Sequence, residues 1–246
     1  MVASASIAGV AGVAALVHAG PGLPGVYPAG MHVVPSLHGR GRRGHVALTF
    51  DDGPDPSSTP AFLTELDRLG WTATFFMLGS MARRAPGLAA DVAAAGHEIG
   101  VHGDEHRNML RRSPWSAHDD IRRARDTLAE LTGVAPVFFR PPFGTLAFGA
   151  FWGARRAGLR TVLWTNWGRD WRGDALPEDV VNEILRREID GGTILLHDSD
   201  CQSDRGSWHS ALGALPLLAD RLAARDLTVG PLHDHGLRRT PAAAGV

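Results

Sequence analysis

Five short stretches of this 246-residue chain carry residue types able to do chemistry. Asp51 and Asp52 stand side by side in TFDDGP, and His102 and His106 bracket HGDEH. Arg140 opens RPPFG, Asp170 precedes Trp171 in RDW, and His197 precedes Asp198 in LLHD. Two histidines four apart can face one way on a helical turn or tight loop, which suits two imidazoles binding one cation. A carboxylate from another strand end would complete a two-histidine, one-carboxylate set. That set leaves coordination positions open, as catalytic rather than structural zinc sites do. An ion held so lowers the pKa of a water and polarises a carbonyl.

These residues need a frame, and the pattern between them supplies one. β-forming runs (HVALTF, TATFFML, HEIGVH, VFFR, TVLWTN, TILLH and a short TVGPL) alternate with helical segments near 59–70, 86–96, 116–133, 147–159, 177–192 and 208–227. Ser116 and Asp119 read as a capping box opening the clearest helix. About seven strand–helix repeats argue for a parallel α/β sheet, either an open doubly wound one or a barrel. No strand is followed by a glycine-rich phosphate loop. Reactive residues of parallel α/β folds gather at the carboxyl ends of strands. Here five strand ends converge: Asp51-Asp52, His102, Arg140, Asp170-Trp171 and His197.

Taken in this order, TFDDGP, HGDEH, RPPFG, RDW and LLHD resemble the NodB-type polysaccharide deacetylases, carbohydrate esterase family four, over roughly residues 45–232. The resemblance implies a distorted (β/α) barrel with about seven parallel strands. It also implies a divalent metal, zinc first, with cobalt, nickel or manganese as alternatives. Residue by residue, it makes Asp51 the general base and Asp52, His102 and His106 the metal ligands. Arg140 would orient the base, Asp170 would partner the catalytic acid, and His197 would be that acid. Phe143 stands where a backbone N–H helps bind the oxyanion; the family often has Tyr there. Leu195 would line the pocket and Trp171 would wall the groove. Two positions depart from the family pattern. Gly103 replaces the usual Ser or Thr after the first metal histidine, and Trp167 replaces the Asp that usually begins the tryptophan motif.

The residues suit amide hydrolysis on their own terms. The reaction needs an activated water, a sink for the oxyanion, and a proton for the leaving amine. The activity that the resemblance implies is removal of acetyl groups from an N-acetylated amino-sugar polymer of peptidoglycan or chitin type. The same machinery would serve an O-acetyl xylan-type esterase or a small-amide hydrolase; retention of every proton-transfer group argues against a silent carbohydrate-binding domain.

Composition narrows the partners. A net charge of −1 gives no bulk attraction to nucleic acid or anionic membrane. The single cysteine, Cys201, excludes an internal disulfide framework. His45 and His97, at strand starts, read as structural. Residues 1–44 read as an apolar leader and linker, 45–235 as the deacetylase domain, and 236–246 as a tail. The leader is uncharged through Gly20 and lacks the basic start of a signal peptide; its apolar run leaves two readings, a membrane-associated or processed segment and a disordered Ala/Gly-rich leader. A monomer outside the cell or at its envelope follows from the resemblance and the leader.

Overall fold

The computed structural model describes residues 34–145 and 147–237. The apolar leader and most of the tail lie outside these residues. β1 (His45–Asp51) is buried along its whole length, as a central strand of a parallel sheet must be. It is followed by α1 (Thr59–Leu69), β2 (Thr74–Met77), α2 (Gly79–Arg84), α3 (Pro86–Ala94) and β3 (Glu98–Val101). Then come α4 (Pro114–Thr132), β4 (Phe138–Phe139), α5 (Phe148–Arg156), β5 (Arg160–Thr161) and β6 (Asn166–Trp167). The last elements are α6 (Pro177–Ile184), β7 (Thr193–His197), α7 (Trp208–Ala223) and β8 (Thr228–Gly230).

Every strand pairing is parallel. Seven strands run in the order β5-β4-β3-β2-β1-β7-β6, and β8 pairs with the first half of β1. The path curls but does not close, because β5 and β6 are its two ends. This is the distorted barrel that the resemblance implies. The strand expected at 161–166 is in fact these two edges, β5 and β6, with residues 162–165 crossing between them. Residues 34–41 lie across the resulting seam. Leu163 N–H donates to the Leu37 carbonyl, Thr193 Oγ1 to that of Gly39, and Gly41 N–H to that of Gly191, at 2.7–2.9 Å. Gly39 has φ +73°, and a Cβ there would sit 2.5 Å from Thr193 Oγ1, so the crossing needs glycine.

Strand alternation divides the interior into two layers. Val46, Leu48 and Phe50 of β1, with Phe75, Met77, Phe139, Ile194 and Leu196, pack outward under the helices. Ala47, Phe76 and Phe138 belong to a smaller cluster inside the curl. By the period of two, Thr49 and Asp51 share the face of Ala47, Arg140 that of Phe138, and His197 that of Leu195. Functional groups therefore point inward at the strand ends while the same strands bury their alternate residues against helices.

Two helix boundaries and one additional helix differ from the sequence reading. α4 starts at Pro114, not at Ser116: Ser113 is the N-cap, its Oγ accepting from Ser116 N–H at 3.2 Å, and proline suits the first turn. α6 stops at Ile184 instead of reaching residue 192, because Asn166 Nδ2 takes the Ile184 carbonyl at 2.8 Å. The short helix α2 carries no apolar period long enough to be read from sequence.

Candidate active site

Asp51 and Asp52 end β1 and reach one pocket. Asp51 is the last strand residue, and Asp52 turns the chain with φ +80°, a conformation aspartate tolerates better than most residues. Both carboxylates consequently approach the same imidazole. His102 Nε2 lies 3.7 Å from Asp51 Oδ2 and 3.4 Å from Asp52 Oδ1. His106 Nε2 lies 3.3 Å from the same Asp52 oxygen. One ligand atom from each of Asp52, His102 and His106 falls within 4.8 Å of the others.

Three observations fit a cation at this point. Asp52 Oδ1 is buried with no hydrogen-bond partner, a costly state for a carboxylate unless a positive charge meets it. His102 Nδ1 lies 2.9 Å from the Arg140 carbonyl, which can only accept; the proton is thus on Nδ1 and the lone pair on Nε2, toward Asp52. Burial, with the neighbouring His102, pushes His106 down to about 4, so it is neutral and able to ligate at neutral pH. The donor set of two imidazoles and one carboxylate suits a borderline divalent ion.

Arg140, fully buried after β4, fixes Asp51. Its Nη1 donates to Asp51 Oδ1 and to Thr49 Oγ1, both at 2.7 Å, and its Nη2 donates to the Leu163 carbonyl at 2.8 Å. The guanidinium also lies 4.1 Å from the centre of the Phe76 ring. Across the pocket, Asp170 is 1% exposed and grips His197 twice. Its Oδ2 accepts from the His197 backbone N–H at 2.7 Å, and its Oδ1 lies 3.0 Å from Nδ1. Burial alone would lower the His197 pKa; the Asp170 carboxylate, with smaller help from Asp52 and Asp51, more than reverses this and holds it at about 10. Nε2 is left facing away from Asp170.

The remaining expected residues surround this centre. Phe143 adopts φ +59° in the turn after Arg140, and its exposed ring meets the His106 ring edge-on at 4.3 Å. Trp171 stands edge-on to His197 with ring centres 6.4 Å apart, and Trp167 packs on Trp171 at 5.3 Å. Leu195 is buried on β7, two residues before His197.

Sequence reasoning missed the residues that brace this arrangement. Gly103 has φ +100°, and a Cβ there would lie 3.0 Å from Asp120 Oδ2. Instead of a side-chain hydroxyl at 103, buried Asp104 holds the histidine loop. It receives Arg83 at 2.7 and 3.1 Å and Arg123 at 3.2 Å, while its own N–H donates to Asp120 at 3.0 Å. Thr49 was also missed, although its place two residues before Asp51 puts it on the same strand face.

Comparison with known proteins agrees with this architecture. Residues 38–162 match the family described as polysaccharide deacetylase. The chain is 36% identical over 189 residues to a peptidoglycan-N-acetylglucosamine deacetylase of Bacillus cereus, covering 76% of this chain and 87% of that one. It is 34% identical over 195 residues to a chitooligosaccharide deacetylase of Azorhizobium caulinodans, covering 76% and 92%. Its fold superposes with TM-score 0.73 and 29% identity on a peptidoglycan N-acetylglucosamine deacetylase solved in complex with an N-oxidanyl-benzamide, covering 80% of this chain and 90% of that one. With the curled parallel sheet and its inward-facing carboxylates and histidines, these likenesses establish that the chain belongs to the polysaccharide deacetylase family, hydrolases of carbon–nitrogen bonds other than peptide bonds.

Proposed function

We propose that the chain removes acetyl groups from an N-acetylated amino-sugar polymer of peptidoglycan or chitin type. The observation that carries this reading is the placement of a buried Asp52–His102–His106 set between an Arg140-bound carboxylate and an Asp170-bound imidazole. The named activities of the relatives from B. cereus and A. caulinodans support the substrate class.

Asp52, His102 and His106 would hold the divalent ion, zinc in our reading. Bound there, it supplies Lewis acidity toward the acetyl carbonyl and the attacking water. Asp51 takes the proton of that water. Arg140 holds the Asp51 carboxylate in place through Nη1, so the base meets the water without first reorienting. The backbone N–H of Phe143 donates to the oxygen on which negative charge develops. His197 donates its Nε2 proton to the departing amine, and Asp170 keeps that proton available at neutral pH. Base and acid are thereby set apart by their partners, one tied to a guanidinium and the other to a carboxylate. Trp171 and Leu195 shape the space for the acetylated sugar.

An envelope or extracellular setting fits such a polymer. Among the described residues no helix is long and apolar enough to cross a membrane. We read residues 45–235 as the catalytic domain, with the seam-crossing residues 34–41 packed on it.

The test is acetate release from N-acetylglucosamine oligomers and from peptidoglycan by the purified chain, before and after chelation, with zinc or cobalt restored. Release that depends on metal is expected, and Asp51→Asn should abolish it while leaving metal content unchanged by elemental analysis. Release from acetylated xylan alone would move the assignment to the ester substrate. A metal-loaded protein inert on every acetylated glycan ends the proposal.

A further inference from the structure

A groove of about 830 Å³ opens beside the histidine loop. It is lined by His106 and Phe143 on the side of the candidate metal ligands, and otherwise by Arg107, Asn108, Arg111, Arg112, Ser113 and Ser116. Three of these eight residues are arginines and none is acidic. That bias does not follow from composition, since the chain as a whole carries a net charge of −1.

The three arginines are engaged differently. Arg107 is paired with Glu105. Arg112 lies 3.3 Å from Asp120 and donates to the Ser116 carbonyl at 3.3 Å, yet its Nε is buried with no partner. Arg111 is exposed, and among the described residues no carboxylate pairs with it. Among the described residues the groove thus offers one guanidinium with no partner for its donors and one buried N–H lacking an acceptor. An arginine fork matches a carboxylate with two parallel hydrogen bonds.

Resting on the deacetylase reading, we propose that this groove is a subsite for a carboxylate borne by the glycan, with Arg111 and Arg112 as its specificity-determining residues. A chitin-type chain of N-acetylglucosamine is neutral and gives these arginines nothing to bind. Peptidoglycan strands carry carboxylates: on the lactyl ether of muramic acid where no peptide is attached, and on the peptide itself where one is joined through that carboxyl. The subsite therefore selects the peptidoglycan-type polymer from the two classes the catalytic centre accepts. A charged group seated beside His106 also fixes which sugar along the strand presents its acetyl group to the centre.

The experiment compares peptidoglycan strands with the same strands after chemical reduction of their carboxylates, at low and at 0.3 M salt, in wild-type protein, Arg111→Glu and Arg111→Lys. The expected result is a wild-type kcat/KM about tenfold higher on carboxylated than on reduced strands at low salt, shrinking with salt as screening grows. In Arg111→Glu the preference disappears or inverts; in Arg111→Lys a few-fold preference returns. Peptide-free strands and peptide-bearing strands, run in parallel, tell the lactyl carboxylate from the peptide one. A wild-type protein indifferent to reduction, or an Arg111→Glu variant that keeps the preference, overturns the subsite. If the wild type releases no acetate from any strand, the deacetylase reading has failed, and binding of carboxylated and reduced strands by calorimetry still decides the subsite: equal affinity rejects it.

Discussion

Replacing Asp170 by asparagine isolates the charge that holds His197 protonated. The change keeps an oxygen able to accept from the His197 backbone N–H, now 2.7 Å from Asp170 Oδ2, so the loop keeps its anchor. What disappears is the negative charge beside Nδ1. With His197 held at about 10, its imidazolium form predominates throughout neutral pH. Without Asp170, burial lowers the group while Asp52 and Asp51 still raise it, and the ordinary 6.5 is taken as the reference for the variant. At pH 8 the protonated fraction then drops from about 99% to about 3%, and at pH 6 only to about three quarters. The variant should therefore lose roughly 30-fold in kcat at pH 8 but little at pH 6 from this cause. The assay is acetate release at saturating substrate from pH 5.5 to 9.5, with the His197 ring titration followed by NMR. Stability moves with the same sign. A base whose pKa is raised on folding contributes below 6.5 and loses that contribution as pH climbs toward about 10, so wild-type protein should lose a few kcal/mol over that window while the variant changes less. A loss of activity by one common factor at pH 6 and pH 8 would show that Asp170 does not work by holding the proton on His197.

Four further outcomes follow from packing and charge. Arg140→Met strands a buried Asp51 carboxylate and should cost about 3–5 kcal/mol, read as a lowered Tm, in addition to abolishing acetate release. Asp104→Ala unties the histidine loop from Arg83 and Arg123; a metal Kd weakened by tenfold or more is expected, measured by competition with a fluorescent chelator. Gly103→Ser, although it restores the residue type usual in the family, should lower Tm, because φ +100° and the nearby Asp120 oxygen cost about 1–3 kcal/mol; a variant as stable as wild type contradicts the loop geometry. Burial pushes His97 down to about 4, and its Nδ1 accepts from Ala73 N–H at 3.2 Å. A base with its pKa lowered on folding contributes fully above 6.5 and loses that contribution as pH falls toward 4, so the stability gap between wild type and His97→Gln should narrow across this window in thermal melts.

The chemistry of this protein was legible because it sits at strand ends, where a local pattern of two announces the strand and an abrupt polar residue announces its end. Asp51, His102, Arg140 and His197 could each be placed on a rim without knowing which strands neighbour one another. The brace around the histidine loop had no such signature. Asp104, Arg83, Arg123 and Asp120 are brought together from α2, a loop and α4, and charged residues on helices look alike in sequence whether they pair across the fold or face water. The divided fifth strand failed for a related reason. TVLWTN has the composition of one strand, but residues 162–165 serve as a crossover: Arg140 claims the Val162 and Leu163 carbonyls, and the Leu163 N–H donates to the Leu37 carbonyl. Composition reports propensity; which edge a segment joins is settled by partners far away in the chain.

The seam between β5 and β6 bears on how the chain can be cut. A version beginning at His45 would keep all five motifs and every residue assigned to the centre, yet it would uncover Leu163 N–H and the Gly191 carbonyl, which Leu37 and Gly41 satisfy, at the seam between the edge strands β5 and β6. Unpaired edges are templates for strands from other molecules. Such a shortened chain should form soluble oligomers or fibrils at concentrations where the chain retaining residues 34–44 stays dispersed. Those few residues ahead of the first motif thus cover the seam that the sheet itself leaves open.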